Sequence, residues 1–80
     1  MSTQSLRPIY EIAGDISRTW KKVNYAAKPY LDAMHSLGTV KDMYGCDHAS
    51  NIILYFLSNA SSFRGEQAKA LKAELKAHLG

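Results

Sequence analysis

The sequence predicts an all-α fold: a small bundle of about four helices, assembled into an oligomer. Three observations carry this. Apolar residues recur at three- and four-residue spacing in successive stretches of the chain. No stretch alternates apolar and polar residues as a half-buried strand would, and none reads as a hairpin. At 80 residues the chain makes a single domain (1–80) that buries only about 60–65% of its unfolded surface, so self-association is the expected remedy where no disulfide or metal helps.

Met1 to Leu6 is polar and uncapped, and residues 1–7 are expected to fray. Pro8 suits a first helical turn, where its missing N–H is not needed. Ile9, Ile12, Ala13, Ile16, Trp20, Val23 and Ala27 then share one face, predicting a helix over about 8–27. Pro29 disfavours helical geometry at Lys28 and ends or kinks that helix. Tyr30, Ala33, Met34 and Leu37 predict a second, short helix over 29–37, with Gly38 as a left-handed C-cap.

Periodicity breaks between Thr39 and Cys46, and Tyr44-Gly45 reads as a turn. Asp47 stands where an N-cap belongs. Ile52 to Leu57 is apolar almost all the way round the helix that follows, with a polar edge only at Asn51 and Ser58. Such a helix is central and can face another subunit. Ser61 or Ser62 is placed to cap the last helix, whose stripe is Ala68, Leu71, Leu75 and Leu79. Lys69, Lys72 and Lys76 line its flank, which reads as a solvated face.

Composition excludes several function classes. The longest apolar run is six residues, Ile52 to Leu57, far short of a signal peptide or a membrane span. A single cysteine, Cys46, rules out an intrachain disulfide and a cysteine-rich zinc site, and fits a reducing compartment. A cytoplasmic protein without a membrane partner is expected. The net charge of +3 permits an anionic partner without demanding one. Three lysines on a short helix cannot supply the six to ten phosphate contacts of a good duplex binder, so double-stranded nucleic acid is not the expected partner. No nucleophile elbow, phosphate-cradling glycine loop, metal-ligand spacing or paired carboxylates occur, so the chain reads as a non-enzyme with no cofactor and no metal.

The densest chemistry lies in Trp20 to Tyr30, where Lys21, Asn24, Tyr25 and Lys28 stand between the aromatic ends. Tyrosines beside lysine and asparagine suit stacking and edge-reading of a nucleobase, or simply an aromatic cap on a helix end. Arg64-Gly65 is the sharpest local conflict. On the projected last helix Arg64 shares a line with Ala68, Leu71 and Leu75, so it is expected to point inward, in a first turn where a cation opposes the dipole. It would either grip an anion with the open N–H groups or pair with Asp15, Asp32 or Asp47. Gly65 lets a ligand or another backbone approach closely.

The segments Trp20–Met34, Tyr44–Asp47, Tyr55–Ala60 and Arg64-Gly65 together resemble a family of short, all-helical bacteriophage-encoded proteins, over roughly residues 18–76. Within that group the chain is similar to phage anti-CBASS sponges, which sequester the cyclic oligonucleotide signals of bacterial immunity without cleaving them. Phe63 departs from the pattern, where a tryptophan is expected. The resemblance implies a homo-oligomer that binds a cyclic di- or trinucleotide in the host cytoplasm. Its candidate contacts here are Trp20, Lys21, Asn24, Tyr25, Lys28, Tyr30, Arg64 and Gly65. A small protein inhibitor of a host protein and a weak nucleic-acid accessory protein are the alternative readings.

Overall fold

Among the described residues four helices carry the fold: α1 (Ile9–Thr19), α2 (Lys28–Met34), α3 (Ala49–Ser58) and α4 (Glu66–Leu79). A computed structural model describes residues 7–39, 41, 43–45 and 47–79. The helix α1 packs on α2 and α4, and α3 packs on α2 and α4, so the four close around one core. The core takes Ile9, Ile12, Ala13 and Ile16 from α1, Leu31 and Met34 from α2, Ile52, Ile53 and Phe56 from α3, and Ala68, Leu71 and Leu75 from α4. These are the predicted stripes, so the all-α class and the number of helices hold.

Of the expected frayed start, residues 1–7, Met1 to Leu6 lie outside the described residues, while Arg7 is held by Asp15 and Glu74 through its side chain and by His78 at its carbonyl, which corrects that expectation. Between α2 and α3 stands a two-residue antiparallel ladder, β1 (Met43–Tyr44) with β2 (Asp47–His48). It corrects the expectation that the chain holds no hairpin. Gly45 turns it at φ 62, a left-handed conformation that side-chain-bearing residues rarely adopt.

The first helix is shorter than its stripe. It ends at Thr19, and Trp20 is extended at φ −95 and ψ 92. Downstream a separate turn forms at Asn24, whose side-chain oxygen accepts from the Ala26 N–H while its carbonyl accepts from the N–H groups of Ala27 and Lys28. That local turn competes with helix propagation. Trp20 and Ala27 still reach the core, but from a connecting segment. Pro29 therefore does not end α1; it sits in the first turn of α2, where its missing N–H costs nothing.

Two expected caps differ as well. Gly38 is not among the glycines of positive φ. Helix α2 unwinds instead through short turns, with Leu37 N–H donating to Met34. The carbonyls of Leu37 and Gly38 then accept from Tyr10 and Ile9, satisfying the open start of α1. Asp47 lies in β2, and the N-cap position of α3 is His48, which makes no side-chain capping bond.

Candidate functional site

The segment after α3 fixes the corner that the sequence singled out. Asn59 N–H donates to Tyr55 and Phe56, closing α3, and Phe63 N–H donates to Ala60. Gly65 then takes φ 115, a conformation open to glycine because it has no Cβ and strained for other residues. Its carbonyl accepts from Lys69 N–H, so Gly65 opens α4 and Glu66 is the first helical residue. Ser61 and Ser62 lie too early to cap it.

This start corrects the placement of Arg64. The inward projection assumed that the helix already ran through residue 64. Because the chain reverses at Gly65, Arg64 precedes the helix and is exposed. The ion pairs expected of it are not formed with Asp15, which holds Arg7 and Arg18, or with Asp32, which holds Lys28 at 2.8 Å. The Asp47 side chain lies outside the described atoms.

The corner is held together by aromatic packing and one amide. Trp20 stacks on Phe63 with ring centroids 5.0 Å apart and planes 19° from parallel. Phe56 meets Trp20 edge-on at 6.1 Å. Trp20 and Phe63 are 7% and 3% exposed, so both faces of this stack belong to the core and neither is presented to a ligand. Phe63, where the resemblance expects a tryptophan, is taken up by stacking within the chain. The Asn24 amide donates to the Asn59 carbonyl at 3.2 Å, which pins the 20–27 segment to the end of α3.

The remaining candidate residues divide plainly. Lys21 and Tyr25 are exposed, Tyr25 at 88%. Lys28 is tied to Asp32 on the surface, a pair of small energetic weight. Tyr30 is half-buried and packs on Tyr55 at 5.4 Å. The structure thus joins residues 20 and 24 to residues 59 and 63, next to Arg64 and Gly65 in the chain. It sets Tyr30 against α3 instead.

Sequence reasoning missed Lys72. It reads as one of three solvated lysines, yet it is half-buried with its Nζ 5.8 Å from the centre of the Phe63 ring. Burial, then Lys76, then Arg64, push its ammonium below its ordinary value. All three causes act in one direction, and no carboxylate offsets them. Among the described residues Lys21, Lys22, Lys41, Arg64, Lys69, Lys72 and Lys76 form no ion pair, whereas Arg7, Arg18 and Lys28 do. Apart from Lys41, these unpaired cations lie on the segments flanking the Trp20–Phe63 stack.

No protein family, no curated protein and no solved structure matches the chain.

Two other polar groupings compete with it. Arg7 donates through Nε and Nη2 to both Glu74 oxygens at 2.8 and 2.9 Å, and through Nη1 to Asp15 at 2.8 Å. The Glu74 contact raises the Arg7 guanidinium above its ordinary value. Arg18 also holds Asp15, and the His78 ring Nε2 meets the Arg7 carbonyl at 2.7 Å. This network walls a cleft of about 370 Å³ between α1 and α4. Its two arginines and two carboxylates satisfy one another, which suits a clasp between helices.

Ser17 and His35 form the second grouping. Their Oγ and Nε2 atoms are 3.1 Å apart on an exposed face between α1 and α2. No carboxylate pairs with His35 among the described residues, so the imidazole lacks the third group that would orient it as a base. No cluster of metal-ligating side chains occurs among the described residues. No helix among them is long and apolar enough to cross a membrane.

Proposed function

We propose that this protein binds an anionic nucleotide and holds it without cleaving it, in the manner of a phage protein that sequesters a cyclic oligonucleotide signal in the host cytoplasm. The observation that carries the reading is the group Arg64, Lys72 and Lys76. Lys72 lies over Phe63, Lys76 and Arg64 both bear on it, and none of the three forms an ion pair among the described residues; the Trp20–Phe63 stack joins them to the segment that carries exposed Lys21 and Tyr25. Uncompensated positive charge at a partly desolvated spot costs free energy in the free protein, and an anionic ligand relieves it. Phosphates fall to Arg64 and the lysines. Tyr25, the most exposed aromatic side chain among the described residues, stacks on a base. Trp20 and Asn24 contribute by holding the corner in place.

The same reading includes self-association. Helix α3 carries no charged residue, and its outer side presents Leu54 and Tyr55, each 50% exposed. A second copy is the occupant we assign to that face. A host protein there instead would appear as a mixed complex on sizing.

Purified, untreated protein is heated and its supernatant analysed by mass spectrometry. A released nucleotide in stoichiometric amount supports the reading. A nucleotide-free preparation that also ignores a panel of cyclic di- and trinucleotides ends it.

A further inference from the structure

Lys72 belongs to none of the chemistry that the sequence singled out, and its surroundings set it apart from its two neighbours on α4. Lys69 and Lys76 are exposed, while Lys72 lies half-buried along Phe63. A lysine over an aromatic face gains a modest cation–π attraction and keeps its stem packed. The charged groups bearing on it are Lys76 from its own helix and Arg64 from the turn before it.

We propose that Lys72 is the inner phosphate contact of the nucleotide site, and that the site selects ligands carrying at least two phosphate charges. The proposal rests on the nucleotide-binding reading above. In the free protein the ammonium rests over Phe63, and in the complex it turns outward to a phosphate oxygen between Arg64 and Lys76. Its stem is long enough to make that turn while its carbons stay packed. A ligand with one negative charge leaves two of the three cations unbalanced, whereas two or three phosphates answer the cluster. The lowered proton affinity of Lys72 follows the same logic, since a neighbouring phosphate would restore it.

The geometry supplies a reporter. Trp20 is the sole tryptophan, and it stacks on the ring that Lys72 covers. Movement of the ammonium off Phe63 should therefore change the Trp20 emission.

The test titrates wild type, Lys72→Gln and Lys69→Gln with a cyclic dinucleotide, pyrophosphate and a cyclic mononucleotide, reading Trp20 emission and calorimetric heat. For wild type, the dinucleotide and pyrophosphate are expected to bind at least about tenfold more tightly than the mononucleotide. Lys72→Gln should weaken both by at least about tenfold, and Lys69→Gln by no more than about twofold. Should Lys72→Gln fail to fold by circular dichroism, Lys72→Arg replaces it and is expected to keep binding within about fivefold, because it keeps the charge. Wild-type affinity in Lys72→Gln, with affinity lost in Arg64→Gln, removes Lys72 from the site and leaves the reading standing. Equal affinity for the mononucleotide overturns the charge requirement alone. No binding of any probe by wild type overturns the reading and this inference together.

Discussion

The Trp20 indole and the Phe63 ring lie nearly parallel, with centroids 5.0 Å apart and planes inclined by 19°. That contact joins the end of α1 to the entry of α4 across more than half the chain. It also decides what the corner offers a ligand, because the two largest flat faces there are turned on each other. Phe63→Ala should therefore cost about 3–5 kcal/mol, as expected for a buried aromatic truncated in a well-packed core. Urea unfolding followed by circular dichroism measures it. A cost below about 1 kcal/mol would mean that the stack does not hold the corner.

Asn24 reaches two partners, the Ala26 N–H and the Asn59 carbonyl. Asn24→Ala leaves the first turn of the 24–27 segment open and unties it from α3. A loss of about 1–2 kcal/mol is expected, with helix content nearly unchanged, because the helices themselves are untouched. Faster amide exchange confined to residues 24–28 would place the effect where the bonds were.

Gly65→Ala separates backbone strain from crowding. An added Cβ would meet no atom within 4 Å, so no clash follows. The φ of 115 is nevertheless one that alanine rarely adopts. The expected cost is about 1–3 kcal/mol, arising from the backbone alone. A neutral substitution would show that α4 can begin without that turn.

Lys72 gives the fold a pH dependence. Its folded-state proton affinity is lowered from the ordinary 10.5, so between the folded and unfolded values the unfolded chain binds more protons. Stability contributed through Lys72 therefore rises with pH across the window just below 10.5 and is absent well beneath it. Comparing urea midpoints at about pH 8 and pH 10, wild type should gain on Lys72→Gln at the higher pH. A difference that shrinks as pH climbs would contradict the assigned environment.

Much of this fold was legible in the chain because its causes are local. The stripes at Ile9–Ile16 and Ala68–Leu75 needed only their period, and each is buried as predicted; α3, apolar nearly all round in sequence, buries Ile52, Ile53 and Phe56 and leaves Leu54 and Tyr55 half exposed. The ends of the helices were not legible, because long-range partners decide them. The α1 stripe continues in sequence through Ala27, yet Trp20 leaves the helix to meet Phe63 and Phe56, contacts more than thirty residues away. Arg64 was misplaced for a related reason: the positive φ of Gly65 moves the start of α4, and a helical projection is wrong for any residue before that start. Of the site, the contacts of Trp20 with Phe63 and of Asn24 with Asn59 were not legible, because the conflict at Arg64-Gly65 was projected from a helix start that the structure does not have. Nor was the burial of Lys72 against Phe63, because only the turn between Ala60 and Gly65 brings that ring beneath the lysine.

The most direct measurement is a calorimetric titration of wild type and Arg64→Ala with cyclic di- and trinucleotides, with light scattering to give the mass of each. Wild type should bind at least one of them stoichiometrically as an oligomer, and Arg64→Ala should lose that binding while keeping its helical signal and its mass. Undiminished binding by Arg64→Ala, or no heat from wild type with any ligand of the panel, would contradict an anion site at this corner.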